Sequence, residues 1–452
     1  MAPDLGIAEP LAAVLAEQVE THGVPGAAAG LLVGGEPLTA CVGVTNVEHP
    51  LPLTDTTLFQ VASITKTFVS AAVMLLAEDG RLSLEDPVGK HLPDLAGRTG
   101  LDTDAITVEH LLSHQAGFDG DHLFVGRIPD SLDQLRDARR LFEPGTGVSY
   151  NNAAFSIAGE LITAVAETPF EPFVQERLLD PLGIVGFFTA DQAITHRVAA
   201  PHLVVGAEQA VLRGSGWQPG WELAPVDRAA GGLVTSVDGL LRWARFQLDG
   251  RAADGAELLT AASLDRMHRP AATLDRWTEI GLDWFIQHGE GGVALDHGGL
   301  TVGYCSVLVL APEPGVAVVS LTHATNGAAV NQAVRRWALA EHAGIVERDA
   351  DPDPAVAVDA ARFEGRFLYP FAQLTITAGP EPNTLTVTST RRDDVDGWKP
   401  PPDPPMTLAF VDERHAVTTD AVGPQRRTQF GFDADDRAAW MTWGSRRAVR
   451  NG

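Results

Sequence analysis

The chain has 452 residues, 45% of them hydrophobic, and a formal net charge of −26. That length and apolar content allow two or three domains with sizeable cores, and the acidic balance excludes a nucleic-acid partner, because phosphate binding draws on clustered Lys and Arg. Cys41 and Cys305 are too few for a disulfide framework and sit in apolar runs, as small buried residues in a reducing compartment do.

The opening stretch, "MAPDLGIAEPLAAVLAEQVETHG", lacks a basic start and carries acids through its apolar part, so it reads as an amphipathic helix and not a signal peptide. No uncharged apolar run reaches the length of about 18 residues that a membrane span needs. The expected location is therefore the cytoplasm, with no membrane partner. Next, "GAAAGLLVGGEPLTACVGVTN" gives two strands joined at "GGEP". It lacks the full G-x-G-x-x-G pattern and a following helix, which argues against a dinucleotide site.

"VASITKTF" (61–68) places Ser63 three positions ahead of Lys66 in a chain with only three lysines, Lys66, Lys90 and Lys399. Arg stays charged at any working pH, whereas a Lys in an apolar setting can give up its proton and act as a base. Residues three apart share a helix face, and the helix expected from Ser63 to about Gly80 is apolar almost all round. Ser63 would gain a basic neighbour, and the N–H groups at the helix start would face an anion forming on it. In "TVEHLLSHQAG" the spacing of His110 and His114 suits a metal, but the Glu of H-E-x-x-H is absent, so no metal and no cofactor are expected.

"FEPGTGVSYNNAAF" puts Tyr150 and Asn152 after a Gly-rich loop and before a helix running from Asn152 to Glu167. A Tyr hydroxyl beside an ammonium can shuttle protons, and an Asn amide can hold both a lysine and a substrate carbonyl; Asn-Asn is equally a helix cap. Phe124, Trp217 and Trp221 lie in loops where they would bind an apolar substrate or pack beneath the loop. No G-x-S-x-G elbow stands out. "LDHGGLTVGYCSVLVLAPEPGVAVVSLTH" (295–323) reads as strand, Gly-rich turn, strand, turn, strand, with His297 at the end of the first strand. Gly298 and Gly299 would let a substrate backbone approach, and the Leu300 amide would donate to an oxyanion. Strands at both chain ends and helices between them predict one sheet assembled from the two ends. The acidic, Pro-bearing stretch 346–360 reads as a linker, and "AQLTITAG", "NTLTVTSTR", "MTLAFVDERHAVTTD" and "QFGFDADDRAAWMTW" as antiparallel strands of an independent barrel or sandwich.

S-x-x-K, Y-x-N and H-G-G, in that order, resemble the serine β-lactamase and penicillin-binding-protein superfamily in its class C-like branch. The resemblance covers roughly residues 10 to 340. It implies an α/β fold of β-lactamase/transpeptidase type, with an antiparallel sheet flanked by helices plus an all-helical region, over 1–345; after the 346–360 linker, 361–452 would form a lipocalin-like β-domain. By the same resemblance Ser63 is acylated, Lys66 with Tyr150 moves its proton, Asn152 holds the substrate amide, and the amides of Ser63 and Leu300 form the oxyanion hole. His297 stands where many relatives carry Lys, and the carboxylate-binding Lys and hydroxyl of penicillin-recognising members are missing, which turns the expectation away from β-lactams.

In overall layout the chain most resembles stand-alone penicillin-binding-protein-type thioesterases, which release and cyclise nonribosomal peptides ending in a D-residue. The expected substrate is then a peptidyl thioester or ester, with a carrier protein as a candidate presenter, and Arg446 or Arg447 near the end would contact the peptide. The alternatives are a cytoplasmic D-specific peptidase or amidase, a carboxylesterase, or a non-catalytic ligand-binding protein of the same fold. Oligomeric state stays open.

Overall fold

The computed structural model describes residues 8–121, 131–213, 221, 223–391, 404–419 and 425–451. Phe124 and Trp217 lie outside these residues. The chain divides into two compact units, one formed by 1–86, 155–271 and 280–347, the other by 87–154, 272–279 and 348–452. The helical stretch 87–154 thus groups with the C-terminal barrel.

In the first unit, helix α1 (Ala8–His22) leads into a hairpin of β1 (Gly26–Val33) and β2 (Glu36–Gly43). Helix α2 (Thr65–Glu78) is buried on every side from Thr65 to Leu76, as its nearly unbroken apolar run requires. Helix α3 spans Asn152–Ala166, its residues from Phe155 on belonging to this unit and its first three to the second; a short helix α4 spans Arg228–Gly231, and α5 Val237–Asp249. Four more strands follow, β3 (Phe285–Gly289), β4 (Gly292–Thr301), β5 (Tyr304–Ala311) and β6 (Val316–Thr322), then helix α6 (Ala328–Ala338).

The strands run β2-β1-β6-β5-β4-β3, so the two chain ends meet where β1 pairs antiparallel with β6. That is the sheet expected from strands at both ends of the chain. Central β5 and β6 are buried along their whole length, with helices on both faces. Leu11 and Leu15 of α1 and Val330 and Val334 of α6 share one core with Ala29, Leu31, Val309 and Val318 of the sheet. Against the other face, α5 comes so close that a methyl on Gly30 would meet Val237 and Leu241 at 2.8 Å. Trp243 of α5 stacks on Phe68 of α2, with ring centroids 3.6 Å apart, and donates its indole N–H to Thr67 Oγ1 at 3.0 Å.

One expectation is corrected. Gly298 and Gly299 are not a turn ending a strand at His297; β4 runs through both to Thr301, and the chain reverses at Val302–Gly303, where Gly303 has φ +83°.

The second unit holds a closed barrel of eight strands in chain order: β7 (Gly365–Tyr369), β8 (Ala372–Ala378), β9 (Thr384–Arg391), β10 (Met406–Phe410), β11 (His415–Thr418), β12 (Arg427–Phe432), β13 (Ala438–Trp443) and β14 (Arg446–Asn451). Pairing of β14 with β7 closes it, leaving no free edge, as in lipocalin-like barrels. Alternate residues such as Leu374, Ile376, Leu408, Phe410 and Phe430 fill the interior.

Candidate active site

In the first unit Ser63 sits in a single 3-10 turn, Ala62–Ile64, leading directly into α2. Ala62 is held at φ +51°, a left-handed conformation that costs a residue with a Cβ of the order of 1 kcal/mol and collects at functional sites. Several hydrogen bonds impose it. Val61 N donates to Leu233 O at 3.1 Å, Thr65 Oγ1 to Ala62 O at 2.6 Å, and Leu233 N to Thr65 Oγ1 at 3.0 Å.

Lys66 is fully buried, and its Nζ stands 3.0 Å from Ser63 Oγ. The same amine donates to Ala230 O on α4 and lies 5.6 Å from the centre of the Phe155 ring. These contacts leave the amine little freedom and point it at the hydroxyl, which is the geometry proton transfer between nucleophile and base requires. Asp227, just before α4, is also buried, and Ser156 Oγ donates to its Oδ1 at 3.3 Å.

Strand β4 abuts this turn. Ser306 Oγ donates to Val61 O at 2.9 Å, and a methyl on Gly299 would overlap both atoms and reach 3.0 Å from Ala62 Cβ. Glycine at 299 is therefore a requirement of close approach between the strand and the turn that carries Ser63. Gly298 is less confined, since a methyl there would find only Ser306 O at 3.7 Å. Leu300 is 71% exposed. His297 is buried: its Nδ1 is 2.7 Å from Gly298 O, its Nε2 is 3.3 Å from Asp283 Oδ1, and its ring centroid is 5.6 Å from that of Phe285. Trp221 packs with Leu58, Ala193 and Val234 and donates its indole N–H to Tyr304 OH at 2.9 Å, so its observed role is packing.

Tyr150, Asn152 and Arg446 belong to the second unit. Asn151 caps the start of α3, accepting from Ala154 N at 2.8 Å, while its own N donates to His114 Nδ1 at 3.0 Å. His114 therefore positions the loop; its ring lies 4.3 Å from that of Tyr150. His110 has a different task, closing a capping box with Thr107 at the start of a short helix.

Asn152 Nδ2 donates to Asp121 Oδ1, and Arg446 Nε donates to Asp121 Oδ2. The Arg446 guanidinium also lies 4.6 Å from the Tyr150 ring centre. Arg447 is wedged between Phe142 and Trp440, at 4.5 and 3.9 Å from their ring centres, and burial lowers its pKa to about 10. Asp121, Ala62 and Asp227 are the residues that motif reading passed over.

Comparison with known proteins agrees with this architecture. The beta-lactamase family model matches residues 11–343. Penicillin-binding protein 4 of Amycolatopsis lactamdurans is 30% identical over 365 residues, 76% of this chain and 93% of that protein. A structure of SurE with D-Leu superposes with a TM-score of 0.74 at 24% identity, covering 99% of this chain and 100% of that one. D-amino acid amidase from Ochrobactrum anthropi SV3, complexed with D-phenylalanine, gives a TM-score of 0.60 at 22% identity over 71% of this chain and 92% of that one. Among the described residues no helix is long and apolar enough to cross a membrane. Since the family model spans most of the chain and the relative is matched over nearly its whole length, the chain belongs to the beta-lactamase family, within the β-lactamase and penicillin-binding-protein superfamily of, in general, serine hydrolases.

Proposed function

We propose that the protein is a cytoplasmic acyl transferase that takes the acyl group of a peptidyl thioester or ester onto Ser63 and releases it by attack of the peptide's own amine. The product is a macrocycle from a nonribosomal peptide with a C-terminal D-residue. The observation that carries this reading is the 3.0 Å approach of the buried Lys66 Nζ to Ser63 Oγ.

Ser63 Oγ attacks the thioester carbonyl while its proton passes to Lys66, with Tyr150 in the same relay. Collapse of the tetrahedral adduct breaks the C–S bond, and the thiolate leaves with that proton. The peptide amine then attacks the Ser63 ester, and its proton returns to Ser63 Oγ as the C–O bond breaks. Amides of Ser63 and Leu300 stabilise the oxyanion in both steps, and His297 completes the β4 side of the site. A carrier protein is the proposed presenter of the thioester.

Three observations support the thioesterase reading. No Lys or hydroxyl stands at the carboxylate-binding positions of β4, the barrel follows the catalytic region in the chain, and one of the full-length likenesses is to SurE, seen with D-Leu. The likeness to a D-amino acid amidase favours, as a second reading, a D-specific amidase or peptidase.

Peptidyl thioesters ending in D- or L-residues, with products identified by mass, separate the readings. Cyclic product from the D-series alone is expected. Linear acid alone would support a hydrolase, a D-specific one if it forms from the D-series only, and no turnover by a well-folded protein would favour a binding protein.

A further inference from the structure

Asp121 belongs to none of the sequence motifs, yet it joins the barrel to the catalytic loop within the second unit. Its carboxylate has no solvent exposure, and it accepts from Asn152 Nδ2 on one oxygen and from Arg446 Nε on the other. A carboxylate can only accept, so the Asn152 amide must turn its nitrogen toward Asp121 and its oxygen away. A buried carboxylate also needs compensation, and the neighbouring cation comes from the first residue of β14.

The rest of that hairpin is tied to the same loop. Gly444 and Ser445, at φ +57° and +64°, form the two-residue turn between β13 and β14. Ser445 O accepts from Tyr150 N at 2.9 Å, and Arg447 N donates to Ser149 Oγ at 3.0 Å. Gly147 leaves room for the Arg447 guanidinium, which a methyl there would meet at 2.7 Å.

We infer that Arg446 and Asp121 are positioning residues for acyl transfer: the barrel supplies the cation that balances Asp121, and Asp121 sets the amide of Asn152 so that its Oδ1 is offered to an N–H of the substrate. The inference rests on the acyl-enzyme reading above. It gives Arg446 a role that acts through Asn152, in place of the direct peptide contact that the sequence suggests. The substrate class that fits is an acyl donor with an N–H near the reacting carbonyl, as in a peptide or an aminoacyl thioester, ahead of a simple fatty acyl ester.

The test is a double-mutant cycle on Ser63 acylation by an N-acyl D-leucyl thioester of a small thiol, with kcat and KM followed separately. Arg446→Gln should lower kcat about tenfold or more with KM within about twofold, and Arg446→Lys should restore part of the loss. In an Asn152→Ala background, Arg446→Gln should add less than about a twofold further loss. A rise in KM alone, or the full Arg446→Gln effect persisting in Asn152→Ala, would mean direct substrate contact and overturn the inference. If Arg446→Gln does not fold, Asp121→Asn carries the same cycle with the same two outcomes. A wild-type protein that never acylates would instead overturn the acyl-enzyme reading, so the two failures are distinguishable.

Discussion

Burial pushes the Asp227 carboxyl up to about 7, against the opposing pull of the Ser156 hydroxyl and the Lys66 amine. Its pKa in the unfolded chain is about 3.9, so between about pH 4 and pH 7 the native state holds more protons than the unfolded one. Stability must then fall as pH rises through that window, and the cost is complete above it. Asp227→Asn removes the titration. Its melting temperature relative to wild type should rise from about pH 5 to about pH 8, and a difference independent of pH would show that the carboxylate is compensated in full. Ser63 and Lys66 were legible in the sequence because their contact is local, three residues apart where the 3-10 turn runs into α2. Asp121 was not, because its partners lie 31 and 325 residues away, at distances over which no periodicity in the chain carries information. His297 drew notice in the sequence only through its neighbours in H-G-G; its buried approach to Asp283 depends on a loop brought in by the fold.

Gly299 shows how an element's position can depend on one missing methyl. Gly299→Ala would drive β4 away from Val61 and Ala62, and overpacking of this kind costs about 1–3 kcal/mol. Because the displaced strand carries the Leu300 amide, Ser63 acylation should drop by a larger factor than stability accounts for, about 10²-fold for a displaced oxyanion donor. Gly298→Ala, with space around it, should cost less than about tenfold in the same assay, and equal losses at the two positions would refute the close-approach argument. The Gly-Gly pair suggested a turn because glycine signals reversals more often than packing, and only the facing Val61 carbonyl and Ser306 hydroxyl explain why a strand interior needs it. The barrel strands showed clearly as alternation, but β7 and β14 were missed. Gly444-Ser445 between two strands is a hairpin signal that the many charges of "SRRAVRN" obscured.

Across the whole chain, charge is unevenly divided. Residues 361–452 carry twelve Lys or Arg and twelve Asp or Glu, so the surplus of acid lies in the first 360 residues. Self-repulsion of that size destabilises a compact state and is screened by salt. Raising NaCl from about 10 mM to about 0.5 M should therefore raise the melting temperature by a few degrees, and a fall would mean that ion pairs such as Arg335 with Asp296 and Glu347 outweigh the repulsion. The sheet built from both chain ends and the closed barrel were readable in outline, since each rests on long patterned runs. The grouping of 87–154 with the barrel was not, because it depends on hydrogen bonds such as Tyr150 N to Ser445 O between loops with no pattern of their own.

The central claim is that the Lys66 amine takes the Ser63 proton so that Ser63 Oγ carries an acyl chain. Intact-protein mass spectrometry of wild type, Ser63→Ala and Lys66→Met after brief exposure to a D-terminated peptidyl thioester tests it directly. The account predicts an adduct of the acyl mass on wild type, mapped to the peptide containing Ser63, and none on either variant. An adduct formed at the wild-type rate on Ser63→Ala or Lys66→Met would contradict it.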